Sequence, residues 1–274
     1  MRAAMVGVAG LVVLTCGMLP AARAEEPSLL PPSGGDLSRL LPDDASAESG
    51  RRTMGAFASN LGRNFVGVFS KSNMAPMLIG ASITGAGSFA DASIERRFGA
   101  DPQNAFATSG SKVGGASVMV PLVGAAFLAG RVSHNEPFRA ATYDMAQALI
   151  VTGAYTMVFK ETVHRTRPDG SNKLSFPSGH TSNAFALATV ADGHFGPKVG
   201  IPAYAAAAAI GWCRVGKNVH HLSDVLAGAT LGIIVGRTVV RQDGAPVRDR
   251  KQWQIVPSAP PSGAGVGAGI NLTW

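Results

Sequence analysis

The stretch AYAAAAAIGWCRVGKNVHHLSD, residues 203–224, opens as a helix former and closes on an arginine, two adjacent histidines and an aspartate. Alanine loses no side-chain entropy in a helix, so the run 203–212 is read as helical. The polar end poses the chemical question. If the chain re-enters a helix near His220, then His220 and Asp224 are four apart and share a face. His221 is paired by the same rule with Val225, which offers nothing. The spacing therefore singles out His220.

Working outward, apolar segments recur near 54–70, 74–92, 113–131, 138–160, 179–192, 198–213 and 223–240. Strand-like alternation is absent from this region, and the fold class is all-α, a compact helical bundle. Pro177, Pro197 and Pro202 fall at helix starts, and Pro168 marks a stop. A membrane span needs roughly 20 largely apolar residues. The best candidates here, 113–130 and 225–236, are shorter or broken by Gly, Ser and Thr. Buried helices of a bundle and small-residue helices packed within lipid both fit.

The ends differ from the middle. Residues 1–24 have Arg2, an apolar core from about Val6 to Leu19 and Ala22-Arg23-Ala24, the layout of a signal peptide cleaved after Ala24; an uncleaved anchor is the alternative. Cleavage removes two arginines from a formal charge of +7, leaving 7 − 2 = +5. It also removes Cys16, so Cys213 has no internal disulfide partner. Residues 25–52 read as a flexible linker, 53–240 as the helical domain, and 241–274 as a non-helical tail in which WQIV and GAGINLTW can form a short hairpin. The basic residues are scattered, with no run longer than pairs such as Arg51-Arg52 and Arg96-Arg97, which excludes a nucleic-acid partner and suits a small anion.

Two further stretches carry charge into apolar surroundings. In KETVHRTRP, Lys160 and Arg167 lie seven apart, two helical turns, so both can point the same way. In FPSGHTSNAF, Pro177-Ser178-Gly179 makes a turn that opens a helix, whose N–H groups bind anions, with His180 in its first turn. Lys160, Arg167 and Arg214, a helix N-terminus and two histidines make a site for a tetrahedral oxyanion. Asp224 orients His220 for attack on phosphorus, and His180 protonates the leaving oxygen. His164 reads as solvated, and His134 and His194 as unremarkable loop residues. No trio has metal-ligand spacing, so neither a metal nor another cofactor is expected.

The order Lys-x6-Arg-Pro, Pro-Ser-Gly-His and Arg-x5-His-x3-Asp, from Lys160 to Asp224, resembles the three-part signature of the type 2 phosphatidic acid phosphatase superfamily. That group includes lipid phosphatases, bacterial nonspecific acid phosphatases and vanadium haloperoxidases. The resemblance implies a helical core and a metal-independent phosphatase working through a phosphohistidine. His220, His180 and Asp224 would be catalytic, and Lys160, Arg167, Ser178, Gly179 and Arg214 would hold phosphate. The substrate is a phosphate monoester, lipid-linked or soluble, and the setting an exported protein of the bacterial periplasm or envelope, with membrane association open. The third motif usually begins Ser-Arg, whereas this chain has Cys213-Arg214, and a thiol donates hydrogen bonds weakly. A vanadium-dependent haloperoxidase and an inactive envelope protein retaining the fold are the alternatives.

Overall fold

In the computed structural model, residues 51–98, 105–244, 252–258 and 267–273 are described. The signal-peptide and most of the linker assignments lie outside them. The helices are α1 (Phe57–Gly67), α2 (Lys71–Phe98), α3 (Ala105–Val113), α4 (Ala116–Val132), α5 (Glu136–Val163), α6 (Gly179–Phe195), α7 (Pro197–Gly216) and α8 (Leu222–Gln242). Strands β1 (Gln252–Ser258) and β2 (Gly267–Thr273) pair antiparallel, Gln252 opposite Thr273 and Ser258 opposite Gly267. The fold is all-α, as the sequence indicates.

Every apolar segment read from the sequence lies on a helix, but three details differ. The 113–131 segment is the second half of a bent pair, because Gly114-Gly115 separates α3 from α4. Helix α5 stops at Val163, before Pro168, because His164 turns into the left-handed region (φ 47°). Pro202 lies inside α7, which starts at Pro197.

Helix α6 is the centre and packs against α5, α7 and α8; α2 lies along α8, α3 on α7 and α4 on α5. The core joins Ala148 and Val151 of α5, Ala186 and Val190 of α6, and Leu231, Ile234, Val235 and Val239 of α8. The α6–α8 contact is unusually close. Gly228, Gly232 and Gly236 line one edge of α8, four residues apart. A Cβ on Gly228 would stand 2.6 Å from the Ser178 carbonyl oxygen, and one on Gly236 2.6 Å from Thr189 Cβ. A Cβ on Gly232 would overlap the Ser182 carbonyl oxygen. Backbone therefore packs on backbone, which only residues without side chains permit. Helix α2 reaches α8 in the same way. Its buried residues are Asn73, Gly80, Gly87 and Asp91, and Cβ atoms at Gly80 and Gly87 would run into Thr230 and Leu226.

Large apolar side chains stay exposed on the outer faces: Leu78, Ile79 and Phe89 on α2, Leu122 and Leu128 on α4, Met157 and Val158 on α5. Only α8, among the described helices, is by itself long and apolar enough to cross a membrane, and most of it is buried in the protein.

The glycine contact gives a test. Gly232→Ala should lower stability by about 1–3 kcal/mol through overpacking. Gly85→Ala, an exposed α2 position with nothing within 4 Å of the new methyl, should be neutral or stabilise by roughly 0.5–1 kcal/mol. Thermal or denaturant unfolding measures both. A Gly232→Ala protein as stable as wild type would refute the backbone-contact account.

Candidate active site

The first motif arrives by two routes. Lys160 is still helical, in the last turn of α5, and its ammonium donates to the Leu174 carbonyl. Arg167 is not helical, contrary to the expectation of two turns on one helix. It opens a turn in which the Gly170 N–H donates to the Arg167 carbonyl at 3.0 Å, with Pro168 at the second position. The His164 break makes this possible, and His164 itself is exposed.

The second motif starts α6. Ser178 is the N-cap residue, and the first intrahelical bond runs from Ser182 N to Ser178 O at 2.9 Å. The N–H groups of Gly179, His180 and Thr181 thus have no intrahelical acceptor. Ser178 is committed elsewhere, which the sequence did not suggest. Its N–H donates to the Asp224 carbonyl at 3.0 Å, and its hydroxyl accepts from Thr181 at 2.9 Å. His180 is half-buried and faces the α3–α4 junction, where a Cβ on Gly115 would be 3.4 Å from its Nε2.

The third motif departs from the expected helix face. His220 precedes α8, His221 is the N-cap residue, and Asp224 sits at the third helical position. The Asp224 carboxylate caps the helix, accepting from His221 N–H at 2.9 Å, and it also accepts from Ser175 Oγ at 2.5 Å. His220 Nδ1 lies 3.7 Å from Asp224 Oδ2, about 0.5 Å beyond the usual hydrogen-bond range. The pairing picked out by spacing is thus present, made by an N-terminal turn rather than by a helix face.

Lys160, Arg167, Arg214, His180 and His220 lie within electrostatic reach of one another. Arg214 donates to the Ser111 hydroxyl. The Nε atoms of Arg167 and Arg214 and Nδ1 of His220 are buried without a hydrogen-bond partner. Unpaired buried donors are costly, and several around one point are satisfied by an anion. Among the described residues, no cluster of three His, Cys, Asp or Glu side chains could hold a metal ion.

Burial, opposed by the attraction of Asp224 and reinforced by Arg214 and Lys160, lowers the His220 pKa from 6.5 to about 4. The ring is neutral at pH 7. With Nδ1 turned toward Asp224, Nε2 is the nitrogen left for chemistry.

Five residues escaped the sequence reading: Asp91, Ser111, Arg165, Ser175 and Ser223. Arg165 donates to Asp224 Oδ1 at 2.6 Å and to Asp91 Oδ2 at 2.8 Å. It lies inside the quoted KETVHRTRP, but a helix continued to Pro168 hides its role. Asp91 carried a signal, a carboxylate within an apolar segment, which needs a partner when buried. His194 also needs correction: it lies in the last turn of α6, its side chain is buried, and its Nε2 is 2.7 Å from Asp144 Oδ2. His134 is exposed. Cys213 is buried at the α3–α7 contact, its thiol 3.6 Å from the Phe106 carbonyl, and a Cβ on Gly110 would collide with it.

A sequence profile of the PAP2 superfamily matches residues 141–247. A lipid A 1-phosphatase of Porphyromonas gingivalis is 39% identical over 94 residues, 33% of this chain and 21% of that protein. The chain thus spans about a fifth of the length of that curated relative. The crystal structure of a transmembrane PAP2-type phosphatidylglycerolphosphate phosphatase from Bacillus subtilis superposes with a TM-score of 0.53 at 26% identity, covering 68% of this chain and 99% of that one. Aquifex aeolicus LpxE gives a TM-score of 0.42 at 25% identity, covering 50% of this chain and 84% of that one.

Nitrogen-detected NMR of the free protein should find the His220 ring neutral down to about pH 5. The unfolded chain takes up that proton near pH 6.5 and the folded one near 4, so stability falls as pH drops between the two values. A His220 ring that titrates at or above 6.5 would refute this environment.

Proposed function

We propose that the chain is a phosphatase that hydrolyses phosphate monoesters, by preference lipid-linked ones, through a phosphohistidine intermediate. The observation that carries the reading is the set of buried, unpartnered donors on Arg167 and Arg214 beside the His220–Asp224 pair and the start of α6.

The phosphoryl group sits among Lys160, Arg167 and Arg214 and the first-turn N–H groups of Gly179, His180 and Thr181, whose positive charge opposes that of its oxygens. Nε2 of His220 bonds to phosphorus as the ester P–O bond breaks. The leaving oxygen keeps the electron pair and takes a proton from His180. The phosphate charge beside His180 favours its imidazolium form. In the second step a water oxygen bonds to phosphorus, the P–N bond breaks, its electrons return to Nε2, and the water proton passes to His180. Asp224 turns Nδ1 of His220 toward itself and stabilises the charge that develops on the ring.

Three observations support a lipid-linked substrate. The outer faces of α2, α4 and α5 are apolar. A curated relative is a lipid A 1-phosphatase, and a similar solved structure is a transmembrane phosphatidylglycerolphosphate phosphatase. Those faces are placed against lipid, with the site end turned to water. Residues 1–24 serve as an export signal, and the mature protein from the envelope should begin at Glu25 on N-terminal sequencing.

Protein lacking residues 1–24 should release phosphate from lipid phosphates faster than from soluble esters. His220→Ala should lose at least about 1,000-fold in turnover, and His180→Ala about 100- to 10,000-fold. Full activity in His220→Ala would end the phosphohistidine reading. Faster turnover of soluble esters would end the lipid preference.

A further inference from the structure

We infer that Asp91, on α2 and 50 residues before the segment matched by the superfamily profile, is a positioning residue for the active site, acting through Arg165 and Ser223 on Asp224 and so on His220. This rests on the phosphatase reading above.

The geometry is a three-way lock. Asp91 Oδ1 accepts the Ser223 N–H at 2.9 Å, and Oδ2 accepts the Ser223 hydroxyl at 2.6 Å and Arg165 Nη2 at 2.8 Å. Arg165 Nη1 continues to Ser223 Oγ at 2.6 Å and Asp224 Oδ1 at 2.6 Å. One guanidinium thus bridges two buried carboxylates. Asp91 is 7% exposed and Asp224 fully buried.

Helix α8 begins with His221 as N-cap, so its first N–H groups need acceptors from outside the intrahelical ladder. Asp224 caps the His221 N–H from within the helix, and Asp91 takes the Ser223 N–H from a different helix. The turn that carries His220 is therefore held from both sides. Close packing aims Asp91 there. Gly87, one turn earlier on α2, lets the helices come close: a Cβ there would stand 3.7 Å from Ser223 Cα, in van der Waals contact, and would require Leu226 Cδ1 to move. The approach of the two helices thus fixes the distance from Asp91 to the start of α8.

Charge completes the argument. Asp224 has to remain anionic and correctly turned to act on His220. An arginine bound to Asp224 alone would draw that charge toward itself. Shared with Asp91, Arg165 anchors Asp224 while half of its charge is balanced elsewhere. Neither Asp91 nor Arg165 needs to touch substrate. Removing Asp91 should therefore slow the chemical step and leave phosphate binding in place.

The test uses the full-length protein in detergent, with turnover of a lipid phosphate and inhibition by inorganic phosphate measured side by side. Asp91→Asn should lower kcat at least 10-fold, with KM and the phosphate inhibition constant within about 3-fold of wild type. Asp91→Asn combined with Arg165→Gln should be no slower than Arg165→Gln alone. If the single variant keeps kcat within 2-fold, or the two losses multiply, the inference is overturned while the phosphatase reading stands. A wild-type protein with no turnover sinks both. If Asp91→Asn does not fold, Ser223→Ala and Arg165→Lys decide: a kcat drop at unchanged KM supports the lock, and wild-type kcat in both overturns it.

Discussion

The structure depends on how closely two helix backbones approach. Glycines at 228, 232 and 236 remove the side chains that would keep α8 away from α6. At Gly228 this contact reaches the Ser178 carbonyl, at the start of α6. The two helix beginnings are therefore neighbours, joined by the bond from Ser178 N–H to the Asp224 carbonyl. His180 follows one beginning and His220 precedes the other. Two helix N-termini side by side concentrate partial positive charge at one point, which favours an anion before any lysine or arginine is counted.

The side-chain charges sort themselves by whether they find a carboxylate. Arg165 and Arg167 lie two residues apart in one motif and have opposite fates. Arg165 is consumed by Asp91 and Asp224. Arg167 and Arg214 keep a buried Nε without any partner. A guanidinium already shared by two carboxylates has little left to offer a phosphate, whereas an unpaired one gains most from binding it. The same sorting explains why Asp224 is a good anchor: its oxygens meet Arg165, Ser175 and the His221 N–H, so its orientation is fixed from several directions.

This division explains what could and could not be read beforehand. Alanine-rich and apolar runs gave the helices, because propensity and burial act locally. Lys160, Arg167, His180, Arg214, His220 and Asp224 could be named from spacing because each is a charged or titrating group in apolar company. The route by which they meet could not. His164 in the left-handed region ends α5 early, and nothing in KETVHRTRP requires that. His220 was expected on the helix and lies before it, because Asp224 spends its carboxylate on the cap. The pairings of Asp91 and Ser111 were hidden for a different reason. Their partners, Ser223 and Arg214, lie more than 100 residues away, and no local pattern encodes that pairing.

At the opposite end of the bundle a buried carboxylate is met by its own charged partners. Asp144 is completely buried in α5, where an isolated carboxylate would cost several kcal/mol. Arg52 meets it with two hydrogen bonds of 2.9 and 3.0 Å, and His194 adds a third at 2.7 Å. Nearby, Tyr143 accepts from Asn60, and Gln147 donates to the Phe57 carbonyl. These bonds tie α1 and the segment before it to α5 and α6. In this cluster the arginine is already paired with a carboxylate. Charge density alone therefore does not distinguish a site from a brace in this fold. The two ends differ in what their arginines meet: Arg52 is spent on Asp144, whereas Arg167 and Arg214, where α6 and α8 begin, keep a buried Nε without a hydrogen-bond partner.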